Sequence, residues 1–373
     1  MRGSLEGVEA ESWVAPGRAL LDEVAAVAAP GPADLIRWWT RFAPERVSAA
    51  LRLVEARRKG ASKFSRAREM WLEPTGVEQA TAEVVARHKA ARFADGSRLV
   101  VDLCSGIGGD ALALAGVAGK GVLAIDRDPG MNRRVVWNAG VYRVSDRLLA
   151  VCSGAETFVR PSEAWVHIDP DRRAGTGGRA KGLADYAPGL SFLRSLIRDG
   201  PGGAIKLGPA SDFNDQFGNE EVEFELISLA GECKEATLWF GAAVGCRRRA
   251  TVLPDGATWT DRDADSWAIL PATLEPSWLF DPDPALVRSG LLNGFAEAHA
   301  LSRFALGVDY LAGNCLVVSP FLAAFEVLAV VPLDLKSLRR PRAPGQPLCA
   351  LRRSPNGLRI RPEGGASSVR GRI

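Results

Sequence analysis

The stretch Val100-Val101-Asp102-Leu103-Cys104-Ser105-Gly106-Ile107-Gly108-Gly109-Asp110 decides how the rest of the chain is read. Arg98 to Leu103 is a compact apolar run, which predicts a strand with an acid near its end. The glycines that follow let the backbone pass close to a bound molecule. A helix predicted over Asp110 to Val117 then opens with unpaired amides aimed at that molecule.

Moving outward, the same alternation repeats. Val122–Ile125, Leu148–Cys152, Ala164–Ile168 and Gly203–Leu207 read as strands, with helical Pro129–Gly140 and Tyr186–Arg198 between them. Strand and helix in turn imply parallel strands with right-handed crossovers, hence an open α/β sheet. Glu223–Leu229 and Ala236–Phe240 lie close together and predict an antiparallel pair at a sheet edge. Upstream, residues 17–59 read as helical, broken at Pro30 and Pro32, and Thr75–Arg92 as one helix with Thr75 as N-cap. Past Arg249 a loop-rich stretch is expected, then a helix over Pro284–Ala298 and a strand over Phe325–Val331. The expected fold class is α/β: a doubly wound, mostly parallel sheet with an antiparallel edge strand, a helical N-terminal extension and a small C-terminal α+β domain. The expected boundaries are 1–94, 95–250, 251–335 and a basic Pro/Gly-rich tail, 336–373.

Composition bounds the function. The 373 residues are 47% hydrophobic and 24% charged, which argues against wholesale disorder, and no apolar run has the length of a membrane span. The acidic N-terminus lacks the order of a signal peptide, and the six scattered cysteines contain no CxxC pair. A reduced cytoplasmic protein without a metal site is expected. From Lys336 onward ten basic residues face one acid, Glu363, so the tail carries +9 of the net +3 and residues 1–335 carry −6. A basic end is compatible with nucleic acid or with a solvated tail.

Two cofactor classes use such a glycine turn. Read as Gly106-x-Gly108-x-x-Ala111, it satisfies a dinucleotide pattern, and Asp126, at the end of the second strand, suits ribose hydroxyls in either class. Three features favour S-adenosylmethionine over NAD. Asp102 suits a cationic amino-acid end and would repel a pyrophosphate. Asp110 sits where a diphosphate needs uncompensated amides. The fourth strand ends in Ile168-Asp169-Pro170, an acid-proline pair of the kind that planar-nitrogen methyltransferases carry at this place.

With these motifs the chain resembles the class I, Rossmann-like S-adenosylmethionine-dependent methyltransferases, and within them a bacterial group with a C-terminal THUMP-like domain. Lys63-Phe64, Gly76 to Thr81, Ala91-Arg92-Phe93, Asp126-Arg127-Asp128-Pro129, Asp169-Pro170-Asp171-Arg172-Arg173 and Phe280 to Ala285 carry the resemblance, which spans roughly residues 50 to 335. It implies that Asp102, Gly106 and Gly108 meet the methionine moiety, that Asp126 meets the ribose, and that Cys104 and Arg127 also bind the cofactor. It also implies that Ala155, or Glu156 close by, flanks the adenine and that Gln79 covers the cofactor. Asp169 and Pro170 would be catalytic, holding an amine toward the methyl group. Arg172, Arg173 and Lys206 would bind an anionic substrate, RNA. The same motif resembles that of uracil-C5 methyltransferases, but no cysteine follows Lys206 on the expected loop, and Cys233 lies near an edge strand. An NAD-dependent oxidoreductase and a non-catalytic RNA-binding protein are the competing readings. The basic-aromatic stretch Arg57 to Trp71 adds to the expectation of RNA. Glu220, Glu221, Glu223 and Glu225 read as a solvated acidic face.

Overall fold

The structure is a computed structural model that describes residues 16–94, 97–171, 186–209, 216–217, 220–264, 276–304, 307–328, 349–354 and 357–362. The chain forms two compact units, one of residues 1–206 with 240–243 and one of residues 207–239 with 244–373.

The first unit opens with helices α1 (Pro16–Ala26), α2 (Pro32–Trp39), α3 (Pro44–Gly60), α4 (Pro74–Gln79) and α5 (Glu83–Ala90). Pro32, Pro44 and Pro74 each occupy the first turn of their helix, where the absent N–H costs nothing. These prolines therefore begin helices rather than interrupt one. The single helix expected over Thr75–Arg92 is two, separated at Ala80–Ala82. Its cap is Glu73, not Thr75: the Glu73 carboxylate accepts from the amides of Thr75 and Gly76.

The sheet of this unit runs β3-β2-β1-β4-β5, comprising Leu148–Cys152, Val122–Asp126, Val100–Leu103, Trp165–Ile168 and Gly202–Leu207, with every neighbour parallel. Helices α6 (Gly109–Val117), α7 (Pro129–Tyr142) and α8 (Leu190–Asp199) are the crossovers. β1 and β4 are buried along their whole length, as expected of central strands covered on both faces. The lead-in helices share a core with the glycine turn: Leu20, Trp38, Leu53, Phe64, Met70 and Trp71 belong to the same buried cluster as Ile107 and Leu112.

The second unit holds β6 (Val222–Leu229), most of β7 (Glu232–Gly241), β8 (Arg248–Leu253) and β9 (Ala257–Thr260). β6 and β7 join through Ala230-Gly231, both at positive φ (53° and 80°), the geometry of a two-residue hairpin turn. The pair is not a sheet edge, because β8 adds parallel to β6 and β9 antiparallel to β8. Among the described residues, the loop expected past Arg249 thus contains strand at 250–253, Ala257–Thr260 and Trp278–Pro282. The arginines Arg248 and Arg249 and the short length of β9 hide its alternation in sequence. A smaller antiparallel sheet runs β11-β12-β10-β13: Ser302–Arg303, Leu311–Gly313, Trp278–Pro282 and Leu322–Glu326. The helix expected over Pro284–Ala298 divides into α9 (Pro284–Arg288) and α10 (Leu292–Ala298), with Gly290 at φ +76° between them. Within the tail, β14 (Cys349–Ser354) and β15 (Gly357–Pro362) pair antiparallel.

Candidate functional site

The turn between β1 and α6 is an assembly of backbone conformations that few residues allow. Cys104 (φ 60°), Gly106 (54°) and Gly108 (92°) all lie in the left-handed region. A Cβ placed on Gly106 would meet nothing within 4 Å, so the backbone there borders open space. The Asp126 carboxylate fixes the turn from β2. Its Oδ2 accepts from the Gly106 amide at 2.8 Å and its Oδ1 from the Asp128 amide at 2.9 Å. Burial raises the Asp126 carboxyl above its ordinary range, against the opposing pull of these amides. On the other side, fully buried Asn138 donates to the Ile107 carbonyl (3.1 Å) and accepts from the Trp71 amide (2.7 Å). The Ser105 hydroxyl is buried within the turn and has no hydrogen-bond partner among the described residues. Burial, then the carboxylates of Asp126, Asp169 and Asp102, push the Cys104 thiol far up, which disfavours its thiolate form.

Beneath the turn lies a network that the sequence did not announce. Asp102 and His167 stand opposite each other on β1 and β4, and both are buried. His167 Nδ1 lies 2.6 Å from Asp102 Oδ1 and its Nε2 lies 3.4 Å from Lys89 Nζ. Lys89 Nζ reaches Asp110 Oδ1 at 2.9 Å, and the Thr81 hydroxyl donates to Asp110 Oδ2 at 2.6 Å. Burial raises the Asp102 carboxyl, with His167 opposing. Burial would also raise Asp110, but Lys89, followed by His167 and Lys206, outweighs it and holds that carboxyl well below the usual range.

At the carboxyl edge, Asp169 follows β4 and its amide donates to the Leu103 carbonyl at 3.3 Å, which places it beside the start of the turn. Its carboxylate is partly exposed and lies 2.6 Å from the nearly buried ammonium of Lys206, on β5. Lys206 also donates to the Gln79 carbonyl at 3.3 Å, while the Gln79 side chain is exposed. Asp102, Cys104, Gly106, Gly108, Asp126, Asp169, Pro170 and Lys206 thus gather along one edge of the sheet of the first unit. Arg127 and Ala155 lie on the neighbouring strand ends, where Ser153 N–H donates to the Asp126 carbonyl at 3.1 Å. Arg172 and Arg173 lie outside the described residues. Cys233 is far from this chemistry in kind: burial pushes its thiol up to about 11. Among the described residues no group of His, Cys, Asp or Glu could hold a metal ion, and no helix is long and apolar enough to cross a membrane.

In the sequence His167 reads only as a strand residue; its even spacing to Asp169, just past the end of β4, is the available signal. The basic-aromatic stretch changes meaning altogether. Arg57 donates to the Met70 carbonyl (2.8 Å), Arg58 to those of Ala28 (2.7 Å) and Val27 (2.6 Å), and Arg66 to that of Val141. Lys63 closes the end of α4 through the carbonyls of Val77 (2.8 Å), Glu78 (2.9 Å) and Ala80 (2.7 Å). Phe64 and Trp71 are core. Arg57, Arg58 and Lys63 brace the lead-in segment against its own carbonyls, and Arg66 ties it to the end of α7.

The family of RNA cap guanine-N2 methyltransferases matches residues 97–169, from just before β1 to Asp169. An uncharacterised S-adenosylmethionine-dependent methyltransferase of Mycobacterium tuberculosis strain CDC 1551 is 36% identical over 268 residues, 71% of this chain and 71% of its own, and a second strain of that species has a relative with the same figures. The crystal structure of a candidate methyltransferase from Porphyromonas gingivalis superposes with a TM-score of 0.69 at 18% identity, over 87% of this chain and 84% of its own, and shows the same fold. The oxidoreductase reading falls with these relatives. The chain belongs to the S-adenosylmethionine-dependent methyltransferases of class I fold, and S-adenosylmethionine is its cofactor.

Proposed function

We propose that the protein methylates RNA, at a nitrogen of a base. The observation that carries this reading is the Asp169 carboxylate, partly exposed beside the glycine turn and anchored by Lys206 at 2.6 Å. The match to a guanine-N2 methyltransferase family over residues 97–169 supports it. Residues fit the cofactor: the space over Gly106 and the Ser105 hydroxyl, which has no partner among the described residues, suit its amino-acid end, Asp126 with Arg127 its ribose, and the backbone near Ala155 its adenine. When bound, the cofactor supplies an electrophilic methyl group. The chain's own part is to orient the acceptor. Asp169 accepts a hydrogen bond from an exocyclic N–H, which turns the nitrogen lone pair toward the methyl position and leaves the carboxylate ready to take the proton released. Pro170 fixes the backbone after it, and Lys206 keeps the carboxylate from swinging away. Arg172 and Arg173 would grip phosphate or stack on a base. Gln79 and its short helix would close over the site. The C-terminal part, by its THUMP-like resemblance, would help to capture RNA.

The test is transfer of labelled methyl from S-adenosylmethionine to RNA purified from cells lacking the gene, read by mass spectrometry of nucleosides. A methylated base nitrogen that disappears in Asp169→Ala supports the reading. Cofactor binding without transfer to any RNA would leave a non-catalytic RNA-binding protein, and transfer to protein instead would overturn the substrate.

A further inference from the structure

We propose that His167 and Lys89 are positioning residues: out of reach of the crevice, they hold Asp102 and Asp110 beneath the two ends of the glycine turn and so set its amides for the cofactor. The inference rests on reading the Leu103–Gly109 turn as the cofactor seat.

The geometry makes one connected brace. Asp102 precedes the turn on β1 and Asp110 lies in the first turn of α6, so the two carboxylates mark where the turn begins and ends. Neither is offered to solvent: Asp102 is 2% and Asp110 7% exposed. A buried carboxylate without a partner is costly, and it would protonate or turn outward toward the crevice. His167, 1% exposed, meets Asp102 with one nitrogen and Lys89 with the other; Lys89, also 1% exposed, meets Asp110. Thr81 completes the line from the lead-in segment, whose backbone lies against Gly109: a Cβ on Gly109 would meet the Thr81 carbonyl at 3.3 Å. One chain of hydrogen bonds therefore crosses β1, β4, α5, α6 and the linker before α5. The left-handed residues Cys104, Gly106 and Gly108 hang between its two fixed points. Such a turn stays in its binding conformation only if both ends are held, and preorganisation of this kind returns directly as affinity.

The experiment is calorimetric titration of S-adenosylmethionine and S-adenosylhomocysteine into the full chain, with thermal melts and hydrogen exchange of the turn amides on the same samples. His167→Leu removes both hydrogen bonds; His167→Asn keeps a donor toward Asp102. We expect His167→Leu to weaken both ligands about tenfold or more and to speed exchange at Gly106 and Gly108 in the free protein. His167→Asn should recover affinity to within about threefold. Thr81→Val, at the rim of the brace, should fold normally and weaken binding by about threefold, which decides the matter if His167→Leu does not fold. Wild-type affinity and wild-type exchange in His167→Leu and Thr81→Val overturn the inference. So does a His167→Asn variant as weak as His167→Leu, which would mark the imidazole as filler. A wild-type protein that binds neither ligand would instead refute the cofactor seat itself.

Discussion

Both units bury carboxylates, and the contrast between them separates a structural use from a functional one. In the second unit Glu223 and Glu225 are fully buried on β6. Glu225 accepts from Trp239 Nε1 at 2.8 Å and from the Thr251 hydroxyl at 2.6 Å; Glu223 accepts from Arg249 Nε at 2.8 Å and from the amide of Gly245 at 2.8 Å. Every one of these oxygens has a fixed partner within the same unit, so the cluster expected to be a solvated face is interior scaffolding at these two positions. In the first unit Asp102 and Asp110 are also buried, though less completely, yet they flank a strained turn with open space above Gly106 and a Ser105 hydroxyl that has no partner among the described residues. Asp169, at the edge of the same sheet, keeps one side exposed. Burial with closed hydrogen bonding builds a sheet, whereas burial beneath an unfinished turn builds a site.

The sharpest way to break this contrast is Asp169→Ala, which should lower methyl transfer by about 10²–10⁴-fold, the size of a lost acid–base group, with cofactor affinity retained in calorimetry. If transfer survives, the edge carboxylate is scaffolding like Glu225. Next, Glu225→Leu removes the carboxylate that accepts from the Trp239 N–H and the Thr251 hydroxyl and should cost about 2 kcal/mol in denaturant unfolding. Activity per folded molecule should not change; a loss there would make the β6 carboxylate part of the machinery. Gly106→Val forces a β-branched residue to φ +54°, a strain of about 1–2 kcal/mol, and fills the space above the turn. S-adenosylmethionine binding should fall by at least about tenfold, and an unaffected affinity would remove Gly106 from the seat.

The smallest effect expected is in the pH dependence of stability, where Asp102 and Asp110 act in opposite directions. Asp110 is held below its ordinary range in the folded protein, so its contribution is present above the unfolded carboxylate value of about 4 and is lost as pH falls through the folded value. Asp102 is raised by burial, so the folded state takes its proton first, and stability from this group falls as pH rises through the raised value. Melts between neutral pH and acid should therefore show a flatter acid loss in Asp110→Asn and a steeper one in Asp102→Asn. Equal slopes in the two variants would refute the asymmetry of the brace.

Much of the site was written locally. Strand, glycine turn, helix and the acids at the ends of β1, β2 and β4 are contiguous or regularly spaced, so parallel pairing alone suffices to bring Asp102, Gly106, Asp126 and Asp169 to one edge. Lys206 was legible for the same reason, as the polar residue near the end of β5. What escaped were residues whose meaning depends on a partner far along the chain. Lys89 lies 78 residues from His167, and Thr81 lies 29 from Asp110. The arginines of the lead-in helices resembled a nucleic-acid patch because charge in a sequence carries no record of which carbonyl will take it. β8 and β9 escaped because Arg248 and Arg249 break the apolar alternation, and parallel pairing with β6 supplies what propensity does not.

By itself, then, the sequence determined the α/β class, the glycine turn and the acidic strand ends, since these follow from local backbone preference and strand period. Only the tertiary structure decided which buried charges face one another, because the cost of burying a carboxylate is settled by whatever the rest of the chain brings against it. That decision turned Asp102 from a lone acid at a strand end into one terminus of a brace. It also turned the glutamates of β6 from a wet surface into the interior of a sheet.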